Sequence, residues 1–506
     1  MFISMYSDEK LQFSFFLAQY FILKNNRHGI IYITKKIKEC ILMKKIISML
    51  IAISMLVAVS ACGNKANEQV EDGKVVLKVD CWPDKAAKPE DYESMMKVKA
   101  EFEAKYPDII IEPDTYRYSV DTFLAKAAAN QLPNLVSVPF TEIDKIVDAG
   151  YAADLTSVMD EYGYTENLAD NIKEMVTRDS KIYMVPTSAY VLGLMANKNV
   201  FEEAGELDEN GLINYPDTFE ELGELAGRIK EKTGKAGFIM PTTKNVGGWH
   251  FMNIAWAYGT EFMAQENGKW VAKFASPECE AALQFVKDLK WKYDALSDNM
   301  FVDNAELYKM LATEQGAMCF SDPSQGTIRN NVKNLGMDPE AISVGKIPAG
   351  SKGQFALMGG NLYMVTADSD EKLIDAAFKW LDFRGMGAKF TDEAATRYEN
   401  DLKSLKEQEI PVVGKTLFSI WKQGEIVEKR DAILAEYGDL NIDLFKEYMD
   451  LSDVTIKAEE PVCCQDLYAL LDNCIQAVIE DKDADVHQLL VDAANDFQIN
   501  YLDNLK

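Results

Sequence analysis

The run Asp179–Gly205, DSKIYMVPTSAYVLGLMANKNVFEEAG, is where one alternation of strands and helices stops and a second starts. Upstream of it, Val75–Trp82 (VVLKVDCW) reads as a strand ending on an aromatic residue. Met95, Val98, Phe102 and Tyr106 then share one face of a helix that Pro107 ends. Ile109–Ile111 is an apolar strand core, Phe123, Leu124, Ala127 and Ala128 mark a further helix, and Leu135–Val138 is a third strand. Thr141 caps the helix that leads to Gly150. Strand, helix, strand, helix, strand, helix predicts a parallel sheet covered on both faces, so the fold class is α/β.

Beyond Tyr183 the alternation restarts, and Tyr190–Ala196 is expected to be a strand of the new unit. Thr218-Phe-Glu-Glu221 is a capping box, with Phe219, Leu222, Leu225, Ala226 and Ile229 as the stripe behind it and Thr233-Gly234 as its stop. Gly237–Met240 and Ala317–Phe320 read as short strands, Ser276-Pro277 starts a helix, and Leu362–Thr366 precedes a helix bearing Leu373, Ala377, Trp380 and Leu381. From about Lys415 the chain is mostly helical, and no repeat or low-complexity block interrupts it.

The N-terminal end carries a different message. Lys44-Lys45 precede sixteen uncharged residues, Ile46–Ala61, and the run closes on Val59-Ser-Ala-Cys62. A basic start, an apolar stretch too short to span a bilayer and small residues at the end are the layout of a secretory signal. The last four residues resemble the lipobox of bacterial lipoproteins, a resemblance that implies Cys62 is acylated and becomes the mature N-terminus. Two acyl attachments on such a cysteine meet the requirement for stable membrane anchoring. The expected division is therefore an extension over 1–42, a signal over 43–61 and a polar tether over 62–73. The extension is either a genuine segment or sequence upstream of a start at Met43; a signal beginning at Met43 is complete in itself and favours the second.

The remaining 445 residues carry 45 basic and 78 acidic side chains, once the eight basic and three acidic residues of 1–61 are set aside. That surface, near −33, repels nucleic acid, and no basic stripe offsets it. With 48% hydrophobic residues the chain still buries a large core, which excludes a disordered acidic tail. Cys81, Cys279, Cys319, Cys463, Cys464 and Cys474 lie on expected strand and helix faces and read as free thiols rather than disulfides. No CxxC pair exists and only His250 and His487 survive processing, so neither a zinc site nor any other cofactor is expected.

Several segments, in this order, resemble the family 1 extracellular solute-binding proteins of bacterial ABC importers, the maltose-binding-protein type. They are KVKAEFEAKYPDIIIE, AGYAADLTSVMD, the opening run, YPDTFEELGELAGRIKEKTGKAGF, GAMCFSDPS, MGGNLYMVTADSDEKLIDAAFKWLDF and DADVHQLLVDAANDF. Met195-Ala196 and Phe219 stand where the family usually has a tyrosine and a tryptophan. The resemblance implies two lobes joined by a hinge, about 74–186 with 360–412 and 187–359 with 413–506, closing over a ligand in the cleft between them. It also implies a monomeric, lipid-anchored receptor on the outer face of the cell membrane that delivers its ligand to an ABC permease.

Enzyme signatures are missing: there is no GxSxG elbow, HExxH or phosphate loop, and Asp208-Glu-Asn-Gly211 lacks EF-hand spacing. A glycoside hydrolase remains an alternative, since two carboxylates leave no sequence trace; so does a surface sensor uncoupled from transport. Aromatic content points to a carbohydrate, whose flat C–H faces stack on indole or phenol rings while carboxylates and amides bind its hydroxyls. Trp82, at a strand's C-terminal end, stands where α/β sheets place ligands. Trp249, His250, Asn253 and Trp256 crowd one segment, although positions 249, 253 and 256 recur at helical spacing and suit a core equally well. Asp322 and Asn361 fall at positions that line the family's cleft, with turn formation as the competing reading; Tyr190 and Thr141 are candidates of the same kind.

Overall fold

The computed structural model describes residues 73–505 apart from residue 121. The chain divides after Lys74, and the unit described here begins at Val75. The expected signal over 43–61, the expected acylation site Cys62 and nearly all of the expected tether lie outside the described residues.

The strands in chain order are β1 (Val75–Val79), β2 (Ile109–Pro113), β3 (Leu135–Pro139), the short hairpin β4 (Thr177–Arg178) and β5 (Lys181–Ile182), β6 (Val185–Val191), β7 (Gly193–Asn197), β8 (Ala236–Phe238), a second hairpin β9 (Met263–Glu266) and β10 (Lys269–Ala272), β11 (Gly316–Ser321), β12 (Ile342–Gly345), β13 (Phe355–Val365) and β14 (Thr455–Lys457). They build two main sheets. The first runs β14-β13-β3-β1-β2, with β6 also paired to β13; the second runs β12-β7-β11-β8.

In the first sheet β1 is parallel to β2 and β3, as the strand–helix alternation predicts. The long β13 enters antiparallel to both β3 and β6. The helix Pro89–Lys105 connects β1 to β2; proline in its first turn loses no needed N–H, and Glu90 and Asp91 favour its positive end. Helix Glu371–Phe383 packs on β1 and brings Trp380 into the core beside Phe102, their rings edge to face at 5.1 Å. In the second sheet β7 is antiparallel to β11 and β12. The helix Phe219–Thr233 that covers it is capped as predicted: Thr218 Oγ1 accepts from Glu221 N at 3.2 Å, and Gly234, at φ +72°, ends it. Glu221 Oε2 reaches back to the N–H of Asp217, one residue earlier than a strict capping box.

The expected strand Tyr190–Ala196 is divided between the two sheets. β6 ends at Val191, and β7 starts at Gly193 after the single residue Leu192. Close packing explains the break. A Cβ on Gly193 would lie 2.6 Å from the Tyr448 ring and 2.7 Å from the carbonyl of Gly345, and the Tyr448 hydroxyl donates to the carbonyl of Val191 at 2.6 Å. The chain crosses between sheets where Tyr448 clamps it. β14 pairs with Phe355–Leu357 at the start of β13, and both of these segments, which the bounds drawn from sequence place in the second half, extend the first sheet. The six cysteines from Cys81 onward are free; Cys279, Cys319, Cys464 and Cys474 are buried, Cys81 and Cys463 half-buried.

Candidate functional site

Two glycines in β13 shape the floor of the candidate site. Gly359 faces Tyr190 across the strand pair, and a Cβ there would meet the tyrosine ring at 2.6 Å; one on Gly360 would meet the Phe140 ring at 2.6 Å. The absence of side chains at these positions leaves room for both rings and, at Gly360, for the carbonyl of Ser188, which a Cβ would meet at 2.3 Å. Tyr190 in turn packs edge to face with Trp249 at 6.5 Å.

Trp249 is aimed by an unusual helix start. The helix Val246–Tyr258 begins after Asn245, at φ +68°, with no side-chain cap of its own. Asp472, from helix Cys464–Glu480, supplies the cap: its carboxylate accepts from Asn245 N at 2.7 Å and Gly248 N at 2.8 Å. Gly247 and Gly248 permit the approach, since a Cβ on Gly248 would lie 2.4 Å from the carbonyl oxygen of Tyr468.

A cavity of about 280 Å³ opens where the turn after β3, the helix Asp170–Val176, β13 and the exit of β14 meet. Phe140, Met358 and Ile456 give it apolar wall; Thr141, Asn171, Asp144, Arg178, Glu459 and Glu460 give it polar wall. Arg178 grips both oxygens of Asp144, at 3.2 Å for Nη2, and also donates to the carbonyls of Met175 and Thr177 at 2.7 and 2.9 Å. Glu142, only 4% exposed, accepts from the hydroxyls of Tyr118 and Thr141 and lies 3.6 Å from Lys145 Nζ. Glu459 Oε1 accepts from the Tyr468 hydroxyl at 2.9 Å, and the Trp249 indole lies beside this carboxylate. Burial pushes the Glu459 carboxyl up to about 7 against the pull of these neighbours. A larger groove, about 650 Å³, runs beside Arg228, Lys230 and Tyr293. It lies on the outer side of a covering helix, and its main charges are spent on Glu206 and Asp294, so it lacks convergent unpaired polar groups.

The sequence-derived candidates separate into three groups. Thr141 lines the cavity, and Tyr190 and Trp249 adjoin it through Glu459. Asn361 is exposed on β13 opposite Pro139, and its Nδ2 donates to Ser188 Oγ at 3.2 Å. Asp322 is buried and takes the turn-forming role, accepting from Ser324 N at 3.0 Å and Thr327 Oγ1 at 3.0 Å. The others are interior. Trp82 is 1% exposed and stacks on Trp380 at 6.1 Å, which corrects its assignment as a ligand platform. The cause is local: Cys81 turns left-handed at φ +56°, and the Trp82 N–H bonds the carbonyl of Asp114, so the indole folds back into the core. His250 is 1% exposed, and burial alone pushes its imidazole down to about 3. Asn253 is wholly buried and ties its helix to β13, accepting from Leu357 N at 2.8 Å. Trp256 donates its indole N–H to Glu460 at 3.0 Å while Lys457 sits over its ring, which shapes the cavity wall from behind. Glu459, Glu460, Asp144, Arg178 and Phe140 were not singled out by sequence; Ala458-Glu-Glu-Pro461 looks like any acidic loop before a helix.

Residues 86–383, more than half of the chain, match the family model of the bacterial extracellular solute-binding proteins. The chain belongs to that family. Solved structures share its two-lobed α/β fold. A Thermotoga lettingae ABC transporter solute-binding protein bound with α-D-tagatose superposes with a TM-score of 0.61 at 19% identity, over 84% of this chain and 98% of that one. UgpB of Mycobacterium tuberculosis, in complex with glycerophosphocholine, gives 0.62 at 14% identity over 84% and 98%. A multiple sugar-binding protein of Streptococcus mutans is 23% identical over 218 residues, 42% of this chain and 47% of the relative, so the match spans about half of that protein. The first two carry ligands of different chemistry on one scaffold. For this solute-binding protein the ligand class therefore has to be argued from the wall of the cavity.

Proposed function

We propose that this solute-binding protein captures a carbohydrate, an oligosaccharide in our reading, and delivers it to an ABC permease without altering it. The observation that carries this is the pairing of ring faces with hydroxyl-binding groups. Phe140 lines the cavity with Thr141, Asn171 and Glu459, and the packed pair Tyr190 and Trp249 adjoins it at Glu459, the combination that C–H faces and hydroxyls call for. A volume of about 280 Å³ sits at the low end of small-molecule sites, which run from roughly 300 Å³ upward, and so admits one or two sugar rings at a time. The similarity to a multiple sugar-binding protein and to a tagatose-bound structure supports the same class. We assign the lobes as 74–186 with 360–412 and 187–359 with 413–506, β14 returning to the first sheet. Trp82, His250, Asn253 and Trp256 are left out of the ligand set.

Titrating the purified protein with a glycan panel, while following products by mass spectrometry, tests the reading: saturable binding with every glycan recovered intact is expected. Release of shorter sugars would establish the hydrolase reading instead, which draws on Glu459 near neutral pKa beside other carboxylates. Attachment to the cell surface through acylated Cys62 belongs to the same proposal. Metabolic labelling with a tagged fatty acid should mark the wild type and leave Cys62→Ala unlabelled.

A further inference from the structure

The cations around the cavity are already committed. Arg178 holds Asp144 with two bonds, Lys145 lies against Glu142, and Lys457 is stacked on Trp256 where it faces Glu460. Glu459 is different. Among the described residues no lysine or arginine comes within ion-pair distance of its carboxylate. Its hydrogen-bond partner, the Tyr468 hydroxyl, and the neighbouring Trp249 indole are neutral, and Glu142 adds repulsion from the neighbouring turn. Tyr190 and Cys464 complete its surroundings and bring no positive charge. A half-buried carboxylate without a counter-charge is costly, so it either binds a proton or recruits a cation. The raised carboxyl of Glu459 shows that burial dominates here. The cavity offers a place for the cation, because Glu459 is part of its wall.

We infer that the missing charge comes with the ligand, and that the site selects a sugar bearing a free primary amine. This rests on the carbohydrate reading above. A protonated amine set against Glu459 makes a charge-assisted hydrogen bond inside a low-dielectric wall, stronger than the bond a hydroxyl makes there. The Tyr190 and Trp249 rings, packed on each other next to Glu459, favour the same charge. Sugar acids and sugar phosphates meet Glu459, Glu460 and Glu174 with no free cation and are excluded.

Three short oligosaccharide series of one linkage distinguish this from simple sugar binding: free 2-amino, N-acetylated 2-amino and 2-hydroxyl. Calorimetry on the intact protein at pH 7.5 should give the free amine at least tenfold tighter binding than either uncharged series. In Glu459→Gln, which keeps an acceptor for Tyr468, that ratio should fall to about one. Uncharged sugars binding as tightly as the amine would overturn the inference and leave the carbohydrate reading standing. An amine preference that persists in Glu459→Gln would overturn it too. Binding of none of the three, together with a silent glycan panel, would sink both readings.

Discussion

Trp82 and Trp249 stand beyond strand ends in the two sheets, both flanked by acidic and aromatic neighbours, yet they do opposite work. Trp82 is folded back by the left-handed Cys81 onto Trp380 and belongs to the core. Trp249 is half-buried, set edge-on to Tyr190, and held near Glu459 by a helix whose first turn is capped from another helix by Asp472. One residue's φ on one side, and one borrowed carboxylate on the other, decide which indole can meet a ligand. The end of a strand is a place where a site can form, and the local backbone settles whether it does.

The largest effect should come from breaking the core member of the pair. Trp82→Ala or Trp380→Ala removes half of a stacked indole pair and should cost about 3–5 kcal/mol of folding stability. Urea melts measure that directly, and the folded fraction of Trp82→Ala should bind ligand as wild type does. Trp249→Ala should do the reverse. Losing a stacking face, worth about 0.5–1.5 kcal/mol, together with buried apolar area at about 25 cal/mol per Å², predicts a loss of about 2–3 kcal/mol, or roughly 30- to 150-fold in Kd. If Trp82→Ala weakened binding while Trp249→Ala merely melted, the two regions would have to exchange roles.

A sharper version uses protons. On the core side, burial raises Asp80 and Asp382 to about 6 from 3.8; on the cavity side it raises Glu459 to about 7 from 4.5. Each folded-state value lies above its unfolded one, so the folded protein holds extra protons, and stability falls as pH rises through the window between about 4 and 7. His250, pushed down to about 3 from 6.5, works the other way, losing stability as pH falls below 6.5. Three carboxylates outweigh one imidazole across most of that range, and a drop of about 3 kcal/mol between pH 5 and 8 follows. Thermal melts across that range should show a falling Tm. Asp80→Asn should flatten the fall without affecting ligand response, whereas Glu459→Gln should alter both.

The same contrast shows what the sequence makes legible. The capped helix after Thr218, the parallel start of the first sheet and Trp380 as core follow from periodicity and caps, which are local. Thr141 and Trp249 were reachable as well, because aromatic and hydroxyl residues after strands are a recognisable pattern. Trp82 was misplaced because nothing in the letters announces a cysteine at positive φ. Glu459 was invisible because one carboxylate among 78 acquires meaning only from Tyr468, Trp249 and the absence of a nearby cation, all of which come from folding. Leu192 shows the same limit: an apolar run reads as one strand until Tyr448, far along the chain, clamps it into two.

The smallest effect should come from the rim, outside both regions. Arg329 Nη2 lies 3.9 Å from Asp91 Oδ1, with both side chains nearly half exposed. Asp91 belongs to the helix that packs on β2 of the first sheet, whereas Arg329 follows β11 of the second, so the pair joins the two halves of the fold. Exposed pairs are worth about 0–1 kcal/mol, and water and salt screen them further. If the pair favours the closed form, Arg329→Ala should raise Kd by no more than about fivefold at low ionic strength, mainly through faster release. The difference should vanish in 0.5 M salt, roughly where screening length falls to a few ångströms. A loss greater than that of Trp249→Ala would mean that closure, rather than the aromatic wall, sets affinity, and the distinction drawn between the two tryptophans would no longer describe how this protein holds its ligand.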